Sequence, residues 1–116
     1  MITRIFRVRI HPTLRSEFER KFLEVSVPYV ETKQGYISHI IGHPIKWKPD
    51  EYMLLTNWVD EKALVDFAGE NWNKAVIPQG MEKYVADCWV DHFKTNESGQ
   101  PAAGGYSPED GRKTSA

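Results

Sequence analysis

The chain has 116 residues and a mass of 13.4 kDa, with 41% hydrophobic and 27% charged residues, which fits one globular domain. Its 15 basic and 16 acidic residues give a formal charge of −1, so no basic excess predicts binding to nucleic acid or an anionic membrane. No apolar run approaches the roughly 20 residues that span a bilayer, and the alternating N-terminus does not resemble a secretory signal. The single cysteine, Cys88, excludes an internal disulfide framework. We therefore expect a soluble cytoplasmic domain.

The composition of the chain changes after Thr95. Residues 96–116 include four Gly, two Pro and three Ser, and they lack Val, Ile, Leu, Phe and Trp. Such a segment cannot bury enough apolar area to offset the entropy lost on ordering. We predict a folded domain over residues 1–95 and a flexible tail over 96–116, which is either a plain terminus or a docking arm.

The first half of the domain is predicted to be a strand followed by a helix. Residues 2–10 alternate, as a strand does. One strand face carries Phe6, Val8 and Ile10, and the other carries Ile5, Arg7 and Arg9. Helical spacing follows in Leu14, Phe18, Phe22 and Val25. We expect Thr13 to cap this helix, Pro28 to kink or end it, and Gln34–Gly35 to stop it.

The second half supplies three more strands and a second helix. The elements are predicted in this order: a strand over 36–41, a hairpin loop over 44–50, a strand over 52–58, a helix over 61–68 capped by Asp60 and interrupted at Gly69, a short helical turn over 72–76, and a strand over 84–93. The order β-α-β-β-α-β predicts a ferredoxin-like α+β fold, with helices on one face of a four-stranded antiparallel sheet. The other face contains apolar residues such as Ile5, so we expect a homodimer through this open sheet face. Arg7 and Arg9 on that face then need partners.

One stretch of the sequence resembles a known family. Residues 52–64, YMLLTNWVDEKAL, followed by Phe67 and Trp72-Asn73-Lys74-Ala75, resemble the antibiotic biosynthesis monooxygenase (ABM) family, and Gln34-Gly35-Tyr36 fits the helix-to-strand junction of that family. The resemblance covers residues 1 to about 94 and implies a dimeric α/β barrel. The family includes cofactor-independent oxygenases of polyphenols and quinols, haem-degrading enzymes, an isomerase-like branch and members of no known activity.

The haem-degrading branch is distinguished by an Asn on the first strand, a Trp on the second helix and a His about ten residues later. The corresponding positions here are Phe6, Phe67 and Val76, so none of the three residues is retained. Phe and Val side chains cannot ligate iron. The resemblance therefore implies a protein without haem, and we expect no cofactor.

The aromatic residues of the domain are expected to converge between the sheet and the helices. Two interpretations are open: a filled core, or an apolar cavity for a flat aromatic ligand, which the family resemblance favours. A cavity of roughly 300 Å³ or more would favour the ligand. The predicted substrate-binding residues are Phe6, Phe22, Trp58, Phe67 and Trp72.

Candidate polar groups are assigned by chemical type. His39, in the middle of a strand, is the predicted general base, because an imidazole titrates near neutral pH; the alternative is a hydrogen-bonded structural histidine. Asn57 and Tyr84 are the predicted hydrogen-bond donors that would stabilise developing charge. Cys88 reads as a buried strand residue in preference to a nucleophile. His39 and His43 lie roughly 13 Å apart along a strand, too far to bind one ion, so no metal site is expected.

These observations lead to one main hypothesis and two alternatives. The main hypothesis is an ABM-type monooxygenase that oxidises an aromatic or quinol-like small molecule with O2, without metal, haem or flavin. The alternatives are a non-enzymatic ligand-binding or structural ABM domain, and a non-oxidative, isomerase-like enzyme on the same fold. Cavity volume separates the oxygenase from the structural domain, since a cavity of roughly 300 Å³ or more favours a ligand and a filled gap contradicts the enzyme. Dependence on oxygen separates the oxygenase from the isomerase.

Overall fold

A computed structural model describes residues 1–96 of the chain. Its regular elements are β1 (Ile2–Ile10), α1 (Arg15–Lys21), α2 (Val27–Glu31), β2 (Tyr36–Gly42), β3 (Glu51–Trp58), α3 (Glu61–Ala68) and β4 (Val85–Lys94). A π-helical turn, Phe22–Ser26, joins α1 to α2, and short 3₁₀ turns cover Pro12–Leu14 and Glu82–Tyr84. The tail predicted over residues 96–116 lies outside the described residues except for Asn96.

The four strands form one antiparallel sheet in the order β2-β3-β1-β4. The helices cover one side, so the ferredoxin-like α+β fold is confirmed. The other side, the open face, carries the following side chains: Thr3, Ile5, Arg7 and Arg9 of β1, Ile40 of β2, Met53, Leu55 and Asn57 of β3, and Trp89 and Phe93 of β4. No helix among residues 1–96 is long and apolar enough to cross a membrane.

The core lies on the helix-facing side of the sheet. Alternation along β1 and β3 sends Val8, Ile10 and Tyr52 to this side, where each is 1% exposed. Phe18 and Phe22 of the first helical segment stack on each other at 5.1 Å between ring centroids and close the core from above. The predicted amphipathic helix and strand thus meet through the faces assigned from the sequence.

One detail of the first helical segment differs from prediction, and another agrees with it. Thr13 is not an N-cap, because Pro12 fixes a tight 3₁₀ turn before the helix, and α1 then begins after Leu14 without a side-chain cap. Pro28 lies in the first turn of α2, directly after the π-helical turn. The regular α-helix is thus interrupted next to Pro28, while the helical segment continues to Glu31.

The second helix is placed by a cap and a glycine. The Asp60 carboxylate accepts the Ala63 N–H at 2.9 Å, which confirms the predicted cap. Gly35 has φ of +88°, and a Cβ there would lie 2.3 Å from the Ala63 Cβ, so only glycine lets α3 approach the junction that precedes β2. The α3 helix ends at Gly69, which has φ of +85°.

The helical turn predicted over 72–76 is wrong. Residues 69–80 form an irregular segment between Gly69 and Gly80, both with positive φ, which we call the cover loop. The carbonyls of Trp72 and Lys74 do not accept helical amides; they accept hydrogen bonds from the Arg4 side chain at 2.8 and 3.0 Å. A tertiary interaction has therefore replaced the local helical hydrogen bonds.

Candidate functional site

A cavity lies between the helix-facing side of the sheet, the helical segment of residues 15–31 and the cover loop. Its apolar walls include Phe6, Val8 and Leu54 from the sheet, Phe18, Phe22 and Val30 from the helices, Phe67 from α3, and Val76, Ile77 and Pro78 from the cover loop. The volume is about 40 Å³, enough for roughly three water molecules. This is well below the roughly 300 Å³ of a typical ligand pocket, so the volume agrees with the filled-core interpretation and not with a preformed ligand cavity. A ring can enter only if part of the wall moves.

The structure divides the predicted substrate-binding residues into two groups. Phe6, Phe22 and Phe67 line the cavity. Trp58 lies behind the wall, fully buried, with its ring stacked on Phe67 at 4.9 Å. Trp72 faces away from the cavity and meets the His92 ring edge-on at 4.7 Å. Three phenylalanines thus contact the cavity, while the two tryptophans support its walls from outside.

The three predicted catalytic residues lie in separate places, and none lines the cavity. His39 Nδ1 forms a hydrogen bond of 2.6 Å with the Tyr36 hydroxyl, in which the tautomer of the imidazole decides which atom donates. Asn57 is on the open face, where it bonds to Thr3 and Ser38. The structure therefore does not assemble these groups into one site.

Tyr84, the third of these residues, is a buried structural donor. Its hydroxyl donates to the Glu17 carboxylate at 2.6 Å, and the residue is only 1% exposed. This hydrogen bond, followed by burial, raises the pKa of Tyr84 above its usual range. The hydroxyl proton is thus used in the hydrogen bond to Glu17 of α1 and is not directed at a ligand.

A row of polar side chains crosses the helix-facing side of the sheet. The strand register places His39 of β2 opposite Thr56 of β3, Thr56 opposite Arg4 of β1, and Arg4 opposite His92 of β4. Residues directly opposite on antiparallel strands share a face and lie within side-chain reach of one another. Arg4 and Thr56 in the middle of the row also line the cavity. Together with Ser26 and Tyr29 of the helical segment, they are the polar side chains of a mostly apolar lining.

Arg4 is buried without an acidic partner. The residue is 3% exposed, and none of the ion pairs within residues 1–96 includes it. Its Nη1 donates to the Trp72 carbonyl and to His92 Nε2, both at 2.8 Å, and its Nη2 donates to the Lys74 carbonyl at 3.0 Å. Burial lowers the pKa of Arg4 to about 10. Its guanidinium remains charged at neutral pH and lies 5.6 Å from the centroid of the Phe67 ring.

His92 completes the environment of that charge. Burial first, and then the neighbouring Arg4 charge, lowers the pKa of His92 below its usual range, while Asp91 opposes the change. The imidazole is therefore neutral at pH 7, and its Nε2 can accept the proton of Arg4 Nη1. A protonated His92 would have no lone pair for this bond and would repel the guanidinium.

Arg4 and His92 are site residues that the sequence interpretation missed. The signal was present in the alternation of β1, since Arg4 has the same parity as Phe6 and Val8 and so falls on the buried face. A charged residue in phase with a buried stripe is unusual and marks a candidate site. The position of His92 opposite Arg4 needed the strand register, which a single sequence does not supply.

The remaining reactive groups of the described residues do not form a second candidate site. Burial and the nearby Asp87 raise the pKa of the Cys88 thiol, so it stays protonated at neutral pH. Residues 1–96 contain no group of three or more His, Cys, Asp or Glu side chains arranged for a metal ion. The cavity walls in this part of the chain include neither His nor Cys, the usual proximal ligands of haem iron.

The fold recurs in solved structures of low sequence identity. A Caulobacter crescentus CB15 protein, provisionally assigned as an antibiotic biosynthesis monooxygenase, matches with a TM-score of 0.65 and 20% identity over 83% of this chain and 90% of its own. A variant of SnoaB, a cofactor-independent oxygenase from Streptomyces nogalater, matches with a TM-score of 0.62 and 16% identity over 84% of this chain and 94% of its own. A variant of MhuD with two manganese protoporphyrin IX molecules per active site matches with a TM-score of 0.63 and 17% identity over 86% of this chain and 100% of its own.

These identities establish a shared fold and not a shared reaction. No curated protein matches the chain in sequence. The family model described as "antibiotic biosynthesis monooxygenase" matches residues 1–75, which span β1 through α3 and most of the way along the cover loop. This chain belongs to the antibiotic biosynthesis monooxygenase family.

Proposed function

We propose that this protein is a monooxygenase that oxidises an aromatic or quinol-like small molecule with O2 and without a cofactor. The observation that carries the proposal is the match of residues 1–75 to the ABM family model; the small phenylalanine-walled cavity is the place where a ring would bind once its wall opens. SnoaB, which has this fold, is described as a cofactor-independent oxygenase, so the proposed reaction class occurs on the same fold. Apolar walls suit the faces of an aromatic ring and exclude water from a reactive anion.

Oxidation without a cofactor limits the chemistry to substrates that supply every electron. When a phenol becomes a quinone, one atom of O2 forms the new carbonyl and the other leaves as water with two substrate hydrogens. The ring must first lose its hydroxyl proton, because the electron-rich anion transfers an electron to oxygen more readily than the neutral phenol. The protein then needs a base, a dry compartment and groups that stabilise negative charge.

Binding of a ring requires the cover loop to open. The loop supplies Val76, Ile77 and Pro78 to the cavity wall, and it is flanked by Gly69 and Gly80, whose positive φ and open surroundings suit hinges. Within the loop, the Lys74 amide donates to the Asn71 carbonyl at 2.9 Å. So little internal hydrogen bonding makes the loop the part of the wall that can move.

Oxygen uptake by metal-stripped protein tests the proposal against a panel of phenols and hydroquinones. We expect catalysed uptake above the autoxidation blank, unchanged by added flavin or iron, with one labelled oxygen atom in the product when ¹⁸O2 is used. Ser26→Leu places a larger side chain on the cavity wall and should abolish uptake. Glu24→Leu, on the exposed side of the same turn, is the matched control and should retain it.

A second candidate function is ligand binding without catalysis. It is favoured by the cavity wall itself, whose polar side chains within residues 1–96 are Arg4, Ser26, Tyr29 and Thr56, with no carboxylate or imidazole to act as a base. The predicted base, His39, stays a prediction. A ligand that binds to the native protein and is blocked by Ser26→Leu, without oxygen uptake, would identify this function instead. Turnover in the absence of oxygen would identify the isomerase-like alternative.

We also propose that the protein is a homodimer through the open sheet face. Ile40 and Phe93 on that face are 58% and 56% exposed, and Trp89 is 42% exposed. Arg7 and Arg9 already have partners within the chain, since Asp91 and Asp87 of β4 lie 4.0 and 3.9 Å away. An apolar face with internally paired charges suits a second copy of itself. Sedimentation equilibrium of the native protein checks whether it is a dimer. The expected cytoplasmic location stays a prediction.

A further inference from the structure

The charge of Arg4 is the feature of the molecule that the proposed oxygenase function leaves unexplained. A buried cation in a protein usually has a carboxylate partner, because removing it from water costs several kcal/mol. Arg7 and Arg9, on the same strand, both have such a partner on β4. Arg4 has two backbone carbonyls, a neutral imidazole and the face of the Phe67 ring. These dipoles offset part of the charge and supply no negative charge.

The guanidinium also has unused donors. It carries five N–H groups, of which two belong to each Nη and one to Nε. Within residues 1–96, the two hydrogen bonds of Nη1 and the single bond of Nη2 account for three of them. One N–H on Nη2 and the one on Nε therefore have no acceptor in the described part of the chain. Two donors of one guanidinium can hold both oxygens of an acidic group.

The unused donors belong to a residue of the cavity wall. Arg4 lines the cavity, whose other walls are almost entirely apolar. In such surroundings a charge acts over a short distance with little screening, so it strongly favours an anion over a neutral group. The cavity thus combines an aromatic lining with one buried positive charge, and these features are complementary to an aromatic ring that carries an acidic group.

We infer that the cavity binds an aromatic compound through an acidic group, a carboxylate or a phenolate, which the Arg4 guanidinium holds. This inference rests on the proposed function only in placing the ligand in the same cavity. Arg4 would keep a phenolic substrate ionised, which is the form that reacts with oxygen. His92 is a positioning residue, because its Nε2 accepts the Arg4 Nη1 proton and fixes the guanidinium plane.

The same contacts link ligand binding to the cover loop. Arg4 holds the loop through the carbonyls of Trp72 and Lys74, which are neutral acceptors. Both kinds of hydrogen bond are charge-assisted because the guanidinium is ionised, but an anionic acceptor adds a Coulomb attraction that a carbonyl dipole lacks. An acidic ligand on the two unused donors can therefore draw the guanidinium toward itself and weaken its bonds to the carbonyls that hold the loop closed. The group that recognises the ligand would also release the wall that blocks its ring.

Three probes test the inference on the full-length protein. Isothermal titration calorimetry compares 4-nitrobenzoate with 4-nitrobenzamide, which differ in charge and little in shape. Absorbance of the yellow phenolate follows 4-nitrophenol from pH 5 to pH 8. We expect the protein to bind the benzoate about tenfold or more tightly than the benzamide, or to lower the pH at which bound nitrophenol ionises. The first result identifies a carboxylate ligand and the second a phenolate.

The variants assign the effect to one residue. Arg4→Met keeps the length of the side chain without the charge and should remove both effects, whereas Arg4→Lys should retain a reduced preference for the anion because it keeps the charge. Arg7→Met, on the opposite face of β1, is the matched control and should behave as the native protein. Circular dichroism confirms that each variant folds. Loss of the preference for the anion in Arg4→Met, with the preference retained in Arg7→Met, supports the inference.

Several results overturn it. They are equal affinity for benzoate and benzamide with no change in nitrophenol ionisation, absence of binding by all three probes at millimolar concentration, and unchanged binding by Arg4→Met. Oxygen uptake without any Arg4-dependent anion binding would leave the oxygenase proposal standing and remove this inference. Arg4-dependent binding without oxygen uptake would do the reverse.

Discussion

Arg4 and Arg7 lie three residues apart on β1, and the pleat of the strand sends them to opposite faces of the sheet. Arg7 is exposed on the open face, and its charge is met by Asp91 at 4.0 Å. Arg4 is buried on the helix-facing side among neutral groups. One strand thus carries the same side chain in two electrostatic states. A surface charge such as that of Arg7 contributes little to stability. A buried charge without a carboxylate partner, such as that of Arg4, is costly, and we propose that it is retained to bind a ligand.

The comparison extends to the aromatic residues of the two faces. Trp58 is fully buried on the helix-facing side and stacks on Phe67, whereas Trp89 on the open face is 42% exposed. We therefore expect changes on the helix-facing side to affect folding and the proposed ligand binding. We expect changes on the open face to affect the proposed association. Each of the following predictions changes one face and compares it with its counterpart.

The largest expected effect is on stability at the two tryptophans. Trp58→Ala should lower the free energy of unfolding by about 3–5 kcal/mol, because it leaves a large cavity beside Phe67. Trp89→Ala should lower it by about 1 kcal/mol or less at protein concentrations where the chain is monomeric. Urea denaturation followed by circular dichroism measures both. Similar losses at the two positions would contradict the division of roles between the faces.

The second prediction concerns the two arginines. Arg4→Met should leave the protein as stable as the native form at pH 7, or about 2 kcal/mol more stable, because it removes an unpaired buried charge. Arg7→Met should change stability by less than about 0.5 kcal/mol. Urea denaturation measures this as well. A loss of more than about 2 kcal/mol in Arg4→Met would show that its hydrogen bonds to the cover loop outweigh the burial of its charge.

The pH dependence of that comparison has a definite sign. Burial lowers the pKa of Arg4 to about 10, so between this pH and the higher pKa of the unfolded chain, the unfolded chain binds more protons than the folded one. Native stability attributable to Arg4 should therefore rise with pH in that window, and the advantage of Arg4→Met should shrink. An advantage that stayed constant to pH 11 would contradict burial as its cause.

The elements of the fold were predictable because their signals are local. Alternation gave β1 its bounds and its two faces, the Asp60 side chain marked the start of α3, and Gly69 marked its end. The cover loop was not predictable in this way. Its sequence favours a helical turn over 72–76, but the Arg4 side chain, 68 residues away from Trp72, takes the carbonyls that such a turn requires.

The site was less predictable than the fold for the same reason. The phenylalanine walls followed from periodicity, and Phe6, Phe22 and Phe67 do line the cavity. Polar candidates were assigned by chemical type alone, which does not tell which side of the sheet or which end of a strand they occupy. Asn57 accordingly lies on the open face. The contact between Arg4 and His92 spans 88 residues and depends on strand register.

The third prediction tests association through the open face. Trp89→Asp should weaken the proposed dimer by about one to two orders of magnitude in Kd, because it buries a charge in an apolar interface. Sedimentation equilibrium measures the dissociation constant. Leu23→Asp is the matched control, since Leu23 is 54% exposed on the helical side of the molecule and should leave association unchanged. Equal weakening by both variants, or a native protein that is monomeric, would contradict a dimer through the open face.

The smallest expected effect is the pH dependence of stability at His92, beside Arg4 on the helix-facing side. Its pKa is lowered in the folded protein, mainly by burial and then by the Arg4 charge, so protonation favours the unfolded chain. The stabilisation from the neutral imidazole is complete above about pH 6.5 and is lost as pH falls through the folded-state pKa. His92→Gln should flatten this part of the stability curve, whereas His11→Gln, at an exposed turn, should not. Parallel curves for the native protein and His92→Gln would show that the neutral imidazole does not support the Arg4 guanidinium.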